Sequence, residues 1–156
     1  MARGFSWRVQ AAVPPAQAYD YVADFTRHPE WAMDDMTIKQ QSSGPVQAGT
    51  KFDAEGILFG RKNPSTVTVT ELNPPSSLGF DAQDKQGITH HEFRFTAQDG
   101  GTLIEREMTG VKQPWFGPIL AIVFRGAINK NFDGALQKLK AMLEAAPKTS
   151  TETTAG

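Results

Sequence analysis

Pro114-Trp115-Phe116-Gly117-Pro118-Ile119-Leu120-Ala121-Ile122-Val123-Phe124-Arg125-Gly126-Ala127-Ile128 opens the stretch, running on to about Ala146, whose reading decides the fold. Pro118 suits a first helical turn, where its missing N–H leaves nothing unpaired. From Leu120 the apolar residues return at helical spacing: Phe124, Ile128, Phe132, Ala135, Leu139, Met142 and Leu143. Asn129, Lys130, Asn131, Asp133, Lys138 and Lys140 fall largely on the other side. The pattern predicts one long helix. Its first half, Ile119 to Phe124, is apolar nearly all round, which predicts enclosure by protein or membrane. A bilayer span needs roughly 20 apolar residues in a row, and Arg125, Asn129 and Lys130 interrupt this one too soon. The helix should therefore lie on something broad, without stable membrane insertion.

Strands supply that surface. Phe5, Trp7, Val9 and Ala11 alternate with Ser6, Arg8, Gln10 and Ala12, and Pro14-Pro15 ends the run. A short helix follows from about Pro15 to Asp24. His28-Pro29-Glu30-Trp31 reads as a second, with Pro29 at its first turn. Six strands come next: Met36–Gln41, Thr50–Phe59, Ser65–Leu72, a short one over Leu78–Ala82, Ile88–Thr96 and Thr102–Gly110. Asp99-Gly100-Gly101 is a strong hairpin signal between the last two. Consecutive strands joined by tight turns make an antiparallel meander with one dry face. The fold class expected is α+β: a curved antiparallel sheet of about seven strands wrapped round the C-terminal helix, in the order β-α-α-β6-α.

With 156 residues the chain suits a single domain over 1–146. Residues 147–156 lack large apolar side chains and are expected to be disordered. A net charge of −1 without a long basic block argues against nucleic acid as a partner. The chain has no cysteine, which excludes disulfides, thiolate metal sites and a Cys nucleophile and fits a cytoplasmic protein. The first residues hold no apolar run that would serve as a signal peptide.

Several short motifs occur in an informative order: Val13-Pro14-Pro15-Ala16-Gln17-Ala18-Tyr19-Asp20-Tyr21-Val22-Ala23-Asp24; His28-Pro29-Glu30-Trp31; Gly44-Pro45 through Gly49-Thr50-Lys51-Phe52; Val69-Thr70-Glu71-Leu72-Asn73-Pro74-Pro75; and Gly100-Gly101-Thr102. In that order they resemble the START-like (SRPBCC) superfamily with the helix-grip fold, over about residues 5–145. That group includes plant pollen-allergen-type proteins and bacterial polyketide cyclase/dehydrase and lipid-transport proteins. The resemblance implies a hydrophobic pocket between sheet and helix for lipids, sterols, polyketides or other aromatic molecules. It implies no cofactor and no universal catalytic residue.

On this reading the cavity-facing set is Trp31, Phe52, Leu58, Val69, Phe80, His91, Phe93, Phe95, Ile104, Arg106, Met108, Trp115, Phe116, Leu120, Phe124 and Ile128. Phe132 completes the aromatic group, and Gly56 among bulky neighbours favours open space. A filled core is the competing reading. His91 shares a face with Phe93 and Phe95 and can act as acid or base. His90 should face solvent, so the two cannot chelate one metal from a regular strand. No spacing matches a zinc signature, and no metal is expected. His28 is placed near the pocket mouth. Arg106, between Ile104 and Met108 on one face, either holds a ligand oxygen or is turned outward by a bulge beside Glu105 and Glu107. Asp34-Asp35 offer carboxylates near the entrance. Trp115-Phe116-Gly117-Pro118 reads as a gate, as plain packing, or as a patch for a homodimer or membrane surface.

Three functions follow: binding of an apolar or aromatic small molecule; a polyketide cyclase or dehydratase with His91 as base and Arg106 on an oxyanion; or an interaction module akin to chaperone-activating relatives, its core filled.

Overall fold

The structure, a computed structural model, describes residues 4–58 and 60–145, with the Leu58 side chain outside the description. The expected tail at 147–156 lies outside the described residues. Strand β1 (Gly4–Ala11) leads into helix α1 (Pro15–Ala23) and a 3₁₀ helix (Phe25–Glu30). Strands β2 (Thr37–Gln40), β3 (Lys51–Leu58), β4 (Arg61–Asn73), β5 (Ser77–Asp84), β6 (Gly87–Gln98) and β7 (Gly101–Lys112) follow, then helices α2 (Gly117–Val123) and α3 (Arg125–Ala145). The strands form one antiparallel sheet in the order β1-β7-β6-β5-β4-β3-β2. This is the expected α+β helix-grip architecture.

Most strands outrun their predicted limits. β4 contains Pro64, which opposes Glu55 near the turn end of the β3–β4 pair, a position where a missing donor is tolerated. Asp99 and Gly100 both take positive φ, 50° and 75°, the backbone a two-residue hairpin turn requires. The second short helix begins earlier than His28: Asp24 caps it, accepting from the Thr26 N–H at 3.1 Å, and Pro29 sits inside.

α1 and the 3₁₀ helix pack on the sheet's inner face, Tyr19 edge-on to Phe95 and Phe25 stacked on Phe52 at 5.0 Å. The C-terminal half of α3 closes the rest. Ala135, Leu136, Leu139 and Leu143 are buried in the same core as Val9, Phe93, Phe95 and Ile104. Polar ties fix the rod's position: Trp7 Nε1–H donates to Asn129 Oδ1 at 3.1 Å and the Ala12 N–H to Glu144 Oε2 at 2.8 Å.

Two expectations about the C-terminal rod fail. It is not one uninterrupted helix. The backbone bends at Phe124 (φ −97°, ψ 13°), although Phe124 N–H still reaches Leu120 O and Ile128 N–H still reaches Phe124 O. β-branched Ile122 and Val123 and then Gly126, all weak helix formers, flank the bend. Nor is its first half enclosed. Trp115, Ile119, Ile122 and Val123 are 84, 55, 62 and 67% exposed. α2 covers the mouth end of the gap between sheet and rod, and no described element stands on its far side.

Candidate functional site

Sheet register sets the inner face in rows. Phe80, His91, Met108 and Phe5 lie opposite one another across β5, β6, β7 and β1; Leu78, Phe93, Arg106 and Trp7 form the next row. Beyond that row Val9, Phe95 and Ile104 are buried in the core. On the other side, toward α2, a cavity of about 410 Å³ opens, lined by residues of β1, the sheet, the 3₁₀ segment, α2 and the start of α3. That volume lies in the range of small-molecule pockets. A wider depression of about 930 Å³ lies over Lys39, Asp53, Glu55 and Thr66 at the β2–β5 side; it is open to solvent and away from these groups.

Arg106 dominates the cavity wall. It is 5% exposed and lies between two rings, with its Cζ 5.0 Å from the Phe93 centroid and 4.6 Å from that of Phe132. One ring belongs to the sheet and one to α3. Nη2 donates to His91 Nδ1 at 3.0 Å. Nε and Nη1 have no hydrogen-bond partner among the described residues, and no described carboxylate pairs with this cation. Burial lowers its pKa to about 9, which still leaves it charged at neutral pH.

His91 is fixed in one form by its neighbours. An arginine only donates, so Nδ1 must accept, and Nε2–H then donates to Thr89 Oγ1 at 3.0 Å. Burial, then the charge of Arg106, holds the imidazole well below its ordinary pKa. His28 is likewise neutral: Nε2–H donates to Val22 O at 2.8 Å, and burial lowers its pKa to about 4. The wall therefore carries the buried Arg106 cation, the Asp84 carboxylate at the β5–β6 turn, two neutral imidazoles and a predominantly apolar remainder. Nε–H and Nη1–H point to different sides of the planar guanidinium, so each would need an acceptor of its own.

Of the residues expected at the cavity, Trp31, Phe80, His91, Arg106, Met108, Phe116, Leu120, Phe124 and Ile128 are brought to its wall, with Phe132. Phe52, Val69, Phe93, Phe95 and Ile104 are buried in the core beside it. Trp115 points to solvent. The Leu58 side chain lies outside the described ones. Arg106 faces inward, because β7 pairs with β6 in unbroken register from Thr89 to Gln98 and no bulge turns it out. Gly56 does not leave space: Met33 occupies it, its Sδ standing 2.5 Å from where a Cβ would be. Asp34 pairs with Lys138 at 2.8 Å on the surface, and Asp35 is exposed. His90 is half-buried and bonded to Asp81 at 2.7 Å. Beyond the expected set, Phe5, Met33, Met36, Val67, Asp84, Thr89 and Gln113 also line the wall. Phe5 and Val67 were on alternating faces; Met33 and Gln113 come from irregular segments, where no periodicity reports orientation.

A family model described as polyketide cyclase/dehydrase and lipid transport matches residues 4–144. No curated protein matches the chain. Among solved structures, the Zhui aromatase/cyclase from a Streptomyces species superposes with a TM-score of 0.74 at 16% identity, over 92% of this chain and 94% of that one. A Thermus thermophilus protein gives 0.74 at 14% identity over 94% and 100%, and one from Chromobacterium violaceum 0.72 at 14% over 92% and 99%. At these identities the likeness speaks for the fold alone. No helix among the described residues is long and apolar enough to cross a membrane.

Proposed function

The chain belongs to the family of polyketide cyclase/dehydrase and lipid-transport proteins, and from that premise we propose that it binds a flat apolar or aromatic molecule whose acceptor oxygen lies on Arg106. The observation that carries this reading is the pair of unpartnered donors, Nε and Nη1, on a buried guanidinium in the cavity wall. Buried donors left unmade cost about 1–3 kcal/mol each, and a ligand carboxylate, phenolate or carbonyl oxygen on either donor would relieve that donor's share of the cost. Phe80, Phe132 and Trp31 offer ring surfaces for the body of such a ligand. A hollow here argues against the interaction-module reading, which expects a filled core.

Two dyes sharing a ring system test this. Anilinonaphthalene sulfonate carries an anion; phenylnaphthylamine does not. Arg106→Met should weaken the sulfonate about tenfold or more, the value of one charge-assisted bond, and leave the neutral dye nearly unchanged. Equal loss of both, in a folded variant, counts against Arg106 as the polar anchor.

A second reading, a cyclase or dehydratase in the same cavity, draws on Arg106 as a group able to stabilise an enolate oxygen. His91 is poorly placed as its base, because both ring nitrogens are already engaged. A His91→Ala protein that binds but loses turnover of a poly-β-ketone would carry this reading; retained turnover removes His91 from it.

A further inference from the structure

α2 is apolar on two sides. Phe116, Leu120 and Phe124 line the cavity mouth, while Ile119, Ile122 and Val123 form an exposed outward stripe at i, i+3, i+4 spacing, with Trp115 at its N-terminal end. From Met108 to Phe132 the sequence contains Lys112, Arg125 and Lys130 and no Asp or Glu. Register brings more cations to the same end of the sheet: Arg61 and Lys62 after the β3–β4 turn, and Lys85 in the β5–β6 turn. The acids there offset only part of this, Glu55 cancelling Lys62 and Asp84 keeping its own charge, so the surround stays net basic. Glu55 lies 3.8 Å from Lys62, and Asp84 accepts from Asn63 Nδ2 and the Gln86 N–H.

The charge selects the occupant. An interface with a second copy, or with another folded protein, takes about 20–30 residues a side, whereas the outward apolar stripe here is only Trp115, Ile119, Ile122 and Val123. A self-complementary contact would also set like charges against each other. A short apolar stripe, one exposed Trp and a basic surround fit the headgroup boundary of an anionic bilayer.

We propose that α2 docks this protein on the surface of an anionic membrane, with Trp115, Ile119, Ile122 and Val123 dipping into the headgroup–acyl boundary. α2 lies on the bilayer and does not cross it. Its inner side remains the rim of the cavity, so an apolar ligand would pass between lipid and protein with little exposure to water. That passage rests on the cavity reading above; the docking does not.

The test is co-sedimentation of the full chain with phosphatidylcholine vesicles, with and without added phosphatidylglycerol. Binding should require phosphatidylglycerol, weaken with salt, and shift tryptophan emission to the blue. Trp115 reports the shift, since Trp7 and Trp31 are already buried. The double variant Ile122→Asp/Val123→Asp should lose about tenfold or more of the partitioning while keeping its circular dichroism and its cavity-dye affinity. No association at low salt, equal binding to pure phosphatidylcholine, or undiminished binding of the double variant each overturns the proposal. So does a dimer in sedimentation equilibrium that the double variant splits, which makes a second copy the occupant. Vesicle binding with no cavity-dye binding would sink the cavity reading and leave the docking intact.

Discussion

Arg106→Met separates a cation kept for a ligand from one kept for the fold, and the structure lets the outcome be worked through. A pKa drop from 12.5 to about 9 on a buried group corresponds to about 5 kcal/mol against holding it charged. The substitution removes that penalty. It gives up one bond from a charged donor to His91, about 1.5–3 kcal/mol, and leaves Nδ1 of His91 without its partner, about 1 kcal/mol. The contacts with Phe93 and Phe132 are partly replaced, because a methionine stem fills similar volume and sulfur–ring contacts are worth about 0.3–1.5 kcal/mol. The expected result for the ligand-free protein is a stability between unchanged and about 2 kcal/mol higher. Urea unfolding followed by circular dichroism measures it, with matched m-values as the check that the comparison is valid. A loss of about 3 kcal/mol or more, the figure for breaking a satisfied buried charge, would falsify the reasoning and make Arg106 a structural group.

Acid should destabilise the protein in a defined window. His28 has a folded pKa of about 4 against 6.5 when unfolded, so the unfolded chain binds more protons between those values. Stability therefore falls as pH drops from 6.5 to 4, by about 3 kcal/mol from this residue, with His91 adding in the same direction. His28→Gln should flatten the slope, and an unchanged slope would discount the histidine. Leu139→Ala, at a fully buried position of α3, should cost about 2–5 kcal/mol in a thermal or urea melt. Leu120→Ala at the partly exposed rim should cost about 1 kcal/mol or less yet weaken dye binding; the reverse ranking would mean that the mouth, not the far end, holds the rod. Phe124→Asp, at a position 45% exposed, should fold and lose dye affinity. A folded Phe124→Asp with full affinity would remove α2 from the site.

The sheet was readable because a strand's period is two. His91, Phe93 and Phe95 had to share a face, and the Asp99–Gly100 turn pairs Gln98 with Gly101, which by counting back sets Phe93 opposite Arg106. The inward arginine and its histidine neighbour were thus within reach of pattern and register. What failed has a common cause. Periodicity says which sides of an element are apolar but not whether anything stands opposite, so α2 looked enclosed and is not. Met33 filling the place of a Gly56 side chain comes from a loop without a period. His28 sits in a 3₁₀ turn whose apolar side is too short to reveal that the imidazole points inward.

The rod is buried most deeply toward its C-terminal end. Leu136, Leu139 and Leu143 lie in the same core as Val9 and Ile104, while Phe116 and Leu120 border a chamber. Selection can therefore trade one guest molecule for another by altering rim side chains, with little risk to foldedness.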